Sequence, residues 1–456
     1  MAKKHNHEHR PASEEGKPVA PPAEGTEART TSGPQFAEPT ATADPTHFIV
    51  KHGSDKAAYS ILDKEKGTLQ PLPFPTVVDA EPRMSLADAI GAKGQKVSDS
   101  IEAAGQIVFH ALGDTGNTST TKDMNMVTDK LVSDFTETDP RDVPSFCYNL
   151  GDVVYSFGES EYYYDQFYDP YRNYPAPIFA IGGNHDGMVA PGSKVPTLQA
   201  FRENFCTAGQ AFHCTSEAGG LARTAGVQPA VYFTLEAPFV RILGLYSNCL
   251  EDPGVISTQS GTAKTYPDLT DAQPNFLTAA LNRIKQEKFA GAVIIAVHHP
   301  PFVAANPAQK GSAGKHGGSP LMLAEIDKAC QATGVWPHAV LSGHAHNYQR
   351  FTRYLGGRET PCLVAGNGGH GVTPLTKKGT PTLRAPTVEA ALSNGHDKVV
   401  FENYDDQDFG YLRILVNAKQ LHIEYHPASD GEDAKTPDDS VTVDLATRTL
   451  AQFQAD

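Results

Sequence analysis

Residues 106–116 read Gln-Ile-Val-Phe-His-Ala-Leu-Gly-Asp-Thr-Gly: a short, nearly continuous apolar run, then a glycine, a carboxylate and a second glycine. A run of that length closed by a turn signal predicts a buried strand, Ile107–Leu112, with a polar loop at its end. The same grammar recurs along the chain. Strands predicted over Phe146–Leu150, Ile178–Ile181, Val293–Val297, Ala339–Leu341 and Leu363–Ala365 run, at or within one residue of their ends, into Gly-Asp-Val-Val-Tyr, Gly-Asn-His-Asp, His-His-Pro-Pro, Gly-His-Ala-His and Gly-Asn-Gly-Gly. Helical patterns fall between them over Met124–Phe135, over Ala272–Phe289 with Phe276, Leu277, Leu281 and Ile284 on one face, and over Leu321–Ala332. Ser319 is placed to cap the last helix and Pro320 to fill its first turn. Strands alternating with helices predict a layered α/β fold. Polar residues gather at the carboxyl ends of the strands, the edge at which open α/β sheets place ligands.

Outward from this pattern the chain divides into three. Residues 1–44 are rich in Pro, Glu, Ala and Thr and too poor in large apolar side chains to offset their ordering entropy, which predicts a disordered polar arm. Its alternating His5, His7 and His9 read as solvated rather than catalytic. Residues 45–105 form a lead-in with short strands over Phe48–Lys51 and Ala58–Leu62 and a helix near Leu86–Ala104. Residues 106–456 form the main domain, closed by a hairpin of Tyr411–Val416 and Gln420–Tyr425 about an Asn-Ala-Lys turn. The tyrosine-rich run from Tyr162 to Tyr174 reads as a packed loop, with a pocket lining as the alternative.

The whole chain of 456 residues is 39% hydrophobic and carries a formal net charge of −15. That acidity opposes a nucleic-acid partner, which calls for a basic face. A phosphate-handling site would need local positive charge, and bound metal ions can supply it at short range. No apolar run is long enough to cross a bilayer. The N-terminus lacks the apolar core of an export signal, so the default expectation is a cytoplasmic protein. Six cysteines contain no C-x-x-C pair and read as free thiols, with Cys206 and Cys214 the one pair near enough for a local disulfide.

The loops at five strand ends carry Asp114, then Asp152 with Tyr155, then Asn184 with His185 and Asp186, then His298 with His299, then His344 with His346. Carboxylate, phenolate, amide and imidazole are all ligands of first-row metals, and this many converging on one edge could hold two cations.

Block by block the sequence resembles the calcineurin-like metallophosphoesterases, and within them the purple acid phosphatases. Gly113-Asp114-Thr115-Gly116 is similar to the first family motif, Gly151-Asp152 through Tyr155 to the second, Gly183-Asn184-His185-Asp186 to the third and Gly343-His344-Ala345-His346 to the fifth. Ile295-Ala296-Val297-His298 is a looser fourth. The resemblance spans about Gln106 to Gly371. It implies a four-layer αββα sandwich with a dimetal site at the carboxyl ends of the strands. One metal is then expected on Asp114, Tyr155 and His346, the other on Asn184, His298 and His344, with Asp152 bridging through its two oxygens. The first set suits Fe(III), and the second suits Zn, Mn or Fe(II).

Gly116 stands where many relatives carry a ligand histidine and Tyr155 adds a phenolate, a paired change that favours the purple acid phosphatase branch. The implied activity is acid hydrolysis of small-molecule phosphate monoesters by a metal-bound hydroxide. His185 and His316 are the expected substrate contacts and are taken to be charged at mildly acidic pH; His299 and His370 are supporting residues. A phosphodiesterase on the same metals is the alternative, and a non-catalytic scaffold a more distant one.

Overall fold

The computed structural model describes residues 70–206, 228–259, 266–304, 316–375, 385, 387–389 (by their backbone), 397–432 and 434–454. The polar arm, the strands expected over Phe48–Lys51 and Ala58–Leu62, and Cys214 lie outside the described residues.

In chain order the strands are β1 (Arg83–Ser85), β2 (Gln106–Leu112), β3 (Cys147–Asn149), β4 (Ile178–Ala180), β5 (Phe233–Ala237), β6 (Val240–Leu245), β7 (Ala292–Val297) and β8 (Ala339–Ser342). They continue with β9 (Tyr348–Leu355), β10 (Arg358–Ala365), β11 (Thr387–Glu389), β12 (Lys398–Asp405), β13 (Gly410–Asn417), β14 (Gln420–Pro427), β15 (Asp439–Asp444) and β16 (Leu450–Ala451). Two sheets result. One has the order β1-β5-β6-β7-β8-β10-β9-β12-β11, the other β16-β15-β14-β13-β2-β3-β4. β6, β7, β8 and β10 run parallel in the first, and β2, β3 and β4 run parallel in the second.

Why the sheets stack is written in β7. Its sequence Ala-Val-Ile-Ile-Ala-Val is apolar at every position because both faces are buried. Ala292, Ile294 and Ala296 enter the core shared with Ile107, Phe109 and Ala111 of β2 and Ile414 of β13. Val293, Ile295 and Val297 point the other way, into a core with Phe276, Leu277, Leu281 and Ile284 of helix Ala272–Gln286 and with Ile326 of helix Pro320–Thr333. Period-two alternation thus gives sheet on sheet inside and helix on sheet outside. Val127 and Leu131 of helix Lys122–Ser133 pack outside β2 and β3 through Leu112 and Cys147. The arrangement is the mixed α/β sandwich that the sequence implied.

Several local readings change. Ser319 does not cap its helix with its side chain; its Oγ instead accepts the Gly254 N–H at 2.7 Å and ties down a neighbouring loop. The helix predicted near Leu86–Ala104 is two helices, Leu86–Ile90 and Gly94–Ala104, broken at Gly91. Tyr163, Tyr168, Tyr171 and Tyr174 are buried in the helix-side core, so the tyrosine run is packing rather than pocket lining. The expected Asn-Ala-Lys turn is present, with Asn417 Oδ1 accepting the Lys419 and Gln420 N–H groups. The five described cysteines are free thiols. No helix among the described residues is long and apolar enough to cross a membrane.

One histidine stitches the two sheets together. His338 Nδ1 accepts the Val293 N–H of β7 at 2.9 Å, which places the proton on Nε2, and Nε2 donates to Leu445 O, just after β15, at 3.2 Å. Burial, helped by Arg448 and opposed by the backbone at Leu445 and Val293 and by Asp444, pulls His338 down to about 4. Its folded pKa lies below the unfolded 6.5, so its stabilising contribution is complete above pH 6.5 and is lost as pH falls towards 4. The loss should be on the order of 3 kcal/mol. His338→Gln should be less stable at pH 7 yet show a shallower fall in unfolding free energy between pH 6.5 and 4; parallel curves for the two proteins would contradict this role.

Candidate metal centre

Each donor sits where a strand stops. β2 ends at Leu112 and delivers Asp114, β3 delivers Asp152, β4 delivers Asn184, β7 delivers His298 and β8 delivers His344 and His346. The turns are tight enough to force Asp114, Asp152 and His344 into left-handed backbone conformations, with φ of 55°, 54° and 70°. Such conformations cost about 1–3 kcal/mol each for residues with a Cβ and persist where the surroundings over-determine them. Here backbone bonds lock the turns: Asp114 N–H donates to Gly151 O, Thr115 N–H to Asp152 O and Gly113 N–H to Ala365 O.

The donor atoms form two nests. In one, the Tyr155 hydroxyl lies 2.9 Å from Asp114 Oδ1, 3.1 Å from Asp152 Oδ2 and 3.3 Å from His346 Nε2, and His346 Nε2 lies 3.3 Å from Asp114 Oδ1. In the other, Asn184 Oδ1 lies 3.0 Å from His298 Nε2 and 2.9 Å from His344 Nδ1, with His298 Nε2 3.2 Å from Asp152 Oδ2. Asp152 Oδ2 belongs to both. The sequence suggested a bridge through two oxygens, but Asp152 Oδ1 is taken by the His185 N–H at 2.8 Å, so one oxygen faces both nests.

These spacings fit metal binding. Two donors about 2.1 Å from one cation and at right angles to each other stand about 3.0 Å apart. Hydrogen bonds behind the donors aim them. His298 Nδ1 donates to Leu150 O at 2.8 Å, which turns its Nε2 towards two oxygens, Asn184 Oδ1 and Asp152 Oδ2. The His344 N–H binds Asp114 Oδ2 at 2.7 Å and leaves Oδ1 to the first nest. The buried His344 Nε2 and Asn184 Nδ2 have no hydrogen-bond partner among the described residues. Asp152, His298 and His344 present ligand atoms all within 4.8 Å of one another.

Electrostatics tell the same story. Burial, with Asp152 close by, pushes the Asp114 carboxyl up, and burial also drives the Tyr155 hydroxyl well up, reinforced by Asp114 and Asp152. Burial acts upward on Asp152 too, but His298 and His185 outweigh it and hold the carboxylate well below the usual range. His298 answers by rising to about 9: burial lowers it and Asp152 overrides that. Burial holds His346 down at about 3. Several acids compete here for one imidazolium, and a pair of cations would relieve all of them.

The position of Gly116 is closed to a side chain. A Cβ there would lie 2.4 Å from Gln166 Oε1, 2.6 Å from Val153 O and 3.1 Å from Tyr155 Cδ2, so no ligand side chain fits at this position. Gln166 clamps the Tyr155 backbone, accepting its N–H at 2.9 Å and donating to its carbonyl at 2.8 Å. Sequence reading missed this role because Gln166 is hidden in the tyrosine run. Asp186 is a second such support: its carboxylate accepts from the N–H groups of Gly183, Val153 and Val154 and joins two ligand loops.

Of the expected substrate contacts, His185 donates Nδ1–H to Ser156 O at 2.8 Å, which fixes its ring beside Tyr155. His316 brings its ring to 4.8 Å from that of His344 and 4.7 Å from that of His346. Burial, with His346 beside it, holds His316 down at about 3, so this environment favours the neutral ring and not the charged one that the sequence suggested. His299 is fixed between Ser247 Oγ at 2.7 Å and Leu250 O at 2.7 Å and faces away from ligand duty.

With this geometry in view, the comparisons are informative. The sequence profile of the family described as Metallophos, calcineurin-like phosphoesterase, matches residues 107–348, which is more than half of the chain. No curated protein matches in sequence. The solved structures that match include two of low identity. One, titled "GAP50 the anchor in the inner membrane complex of Plasmodium", is 11% identical with a TM-score of 0.43, over 72% of this chain and 86% of its own. The other, titled "Structure of PhoD", is 12% identical with a TM-score of 0.43, over 77% and 72%.

If one oxygen of Asp152 serves both nests, Asp152→Ala should lose both metals together. Plasma mass spectrometry after desalting should find each below about a tenth of its wild-type content. Retention of either metal at the wild-type level would contradict the sharing.

Proposed function

We propose, for a chain that belongs to the calcineurin-like phosphoesterase family, that it is a two-metal phosphomonoesterase of the purple acid phosphatase type. The observation that carries this reading is the pair of donor nests joined at Asp152 Oδ2, one of which contains a phenol.

In this proposal Asp114, Tyr155 and His346 hold one cation, Asn184, His298 and His344 the other, and Asp152 touches both. A carboxylate and a phenolate make the first set hard and anionic, which suits Fe(III); imidazoles and an amide make the second suited to Zn, Mn or Fe(II). Once bound, the cations neutralise phosphoryl oxygens and acidify the attacking water. The chain's own groups do the positioning. Leu150 O fixes the His298 ring, the His185 N–H fixes Asp152, and Ser156 O holds the His185 ring beside Tyr155, from where it would contact a phosphoryl oxygen. His316, with its ring against His344 of one set and His346 of the other, would contact the substrate between the two cations.

A phosphodiesterase needs room for two ester groups. The tyrosines that offered such a lining are packed in the core, so they give that reading no support.

The test combines colour with substrate choice. Protein loaded with Fe(III) and Zn should be violet or pink through charge transfer from the Tyr155 phenolate, and Tyr155→Phe should lose the band. At mildly acidic pH the wild type should turn over an aryl phosphomonoester faster than the bis-aryl ester. A colourless protein with verified Fe(III) would remove Tyr155 from the ligand set, and a preference for the bis-ester would overturn the monoesterase.

A further inference from the structure

The loop Gly366-Asn367-Gly368-Gly369-His370 follows β10 and lies against the Asp114 turn more closely than any side chain would allow. A Cβ on Gly368 would come 2.4 Å from Gly113 O, and one on Gly369 would come 2.5 Å from Thr115 O. The glycines let two backbones touch, and two bonds fasten them: Gly368 N–H to Gly113 O at 3.1 Å and His370 N–H to Asp114 O at 2.9 Å. Asn117 closes the contact from the other side, its Nδ2 donating to Gly369 O at 2.8 Å and His370 O at 3.0 Å.

This packing delivers the His370 ring to one place. It stacks on Tyr155 with centroids 3.6 Å apart and planes 18° from parallel. His370 Nδ1 lies 2.9 Å from Gly116 O, and because a carbonyl can only accept, Nδ1 carries the proton. His370 therefore bonds the glycine that stands in for a ligand and covers the face of the phenol that replaces it. It also anchors the backbone of Asp114. The His185 ring approaches Tyr155 from a different side, at 4.2 Å and 39°, and the 6.5 Å between the two imidazoles puts an obtuse angle at the tyrosine.

We propose that His370 is a positioning residue of the Asp114–Tyr155 half of the site, whose stacked ring sets the orientation and electron density of the phenolate that binds the harder metal. The proposal rests on the reading of Tyr155 as a metal ligand. Removing a group that orients a ligand from behind typically weakens metal binding about 10- to 100-fold. The effect should fall on one metal, because His370 contacts Tyr155, Gly116, Asp114 and His346 but none of Asn184, His298 and His344.

The test uses the full chain loaded with Fe(III) and Zn, as wild type, His370→Ala and His370→Phe. The phenylalanine keeps volume and stacking but cannot hold Gly116 O, so it carries the test if the alanine variant fails to fold. Iron retention against a chelator and the visible band are both read. Iron affinity should fall about 10- to 100-fold in the alanine variant and about tenfold in the phenylalanine variant, the band should move in both, and zinc retention should stay at the wild-type level. Wild-type band and iron retention in the variants would overturn the proposal while leaving Tyr155 a ligand. Equal loss of both metals with an unmoved band would reduce His370 to a structural role and overturn it too. A wild type that binds Fe(III) without any band would instead overturn the ligand reading, and this proposal with it.

Discussion

Asp152 Oδ2 stands 3.1 Å from the Tyr155 hydroxyl and 3.2 Å from His298 Nε2, deep in the protein, with the other oxygen of the same carboxylate held by a backbone N–H. A buried carboxylate is tolerable only when it is neutralised and fully bonded. Satisfying this one draws in much of what surrounds it. The Asp152 turn must take a left-handed backbone, the Asn184–Gly187 turn must aim its first N–H groups inward, and β3 must run parallel between β2 and β4 so that three loops meet. Asp186 then ties two of those loops through three backbone N–H groups. The strain of the turns and the crowding of acids are tolerated together, as expected where geometry serves chemistry rather than stability.

Much of the fold was legible because it is local. An apolar run such as Ala292–Val297 announces a strand buried on both faces, and a glycine followed by a polar residue announces its end. The donors were legible for the same reason, since each lies within a few residues of a strand end. What could not be read depends on partners far along the chain. β5, β6, β9, β12 and β15 carry mixed sequences whose place is set by pairing rather than by composition. Ser319 looks like a helix cap from its neighbours, but Gly254, far back in the chain, claims its hydroxyl. The single-oxygen geometry of Asp152 and the stack of His370 on Tyr155 likewise need the third dimension.

The packing of Gly116 against Tyr155 illustrates how one local feature obliges others. Gly116 must stay bare because Gln166, Val153 and the Tyr155 ring occupy the space of its missing side chain. Gln166 in turn holds Tyr155 at both backbone groups. Burial and two carboxylates suppress the acidity of the phenol, so in the proposed assignment it would become a ligand only where a strongly charged cation displaces its proton. Under that assignment the requirement would favour a hard metal on this side and a softer one on the imidazole-rich side.

The central claim is that two cations share one oxygen of Asp152, and anomalous diffraction from crystals grown with iron and zinc tests it most directly. The account predicts two anomalous peaks per chain, about 3.5–4 Å apart, on either side of Asp152 Oδ2, with the iron-edge signal on the Tyr155 side. A single peak, or two peaks bridged through separate oxygens of Asp152 with the His185 N–H bond broken, would contradict it.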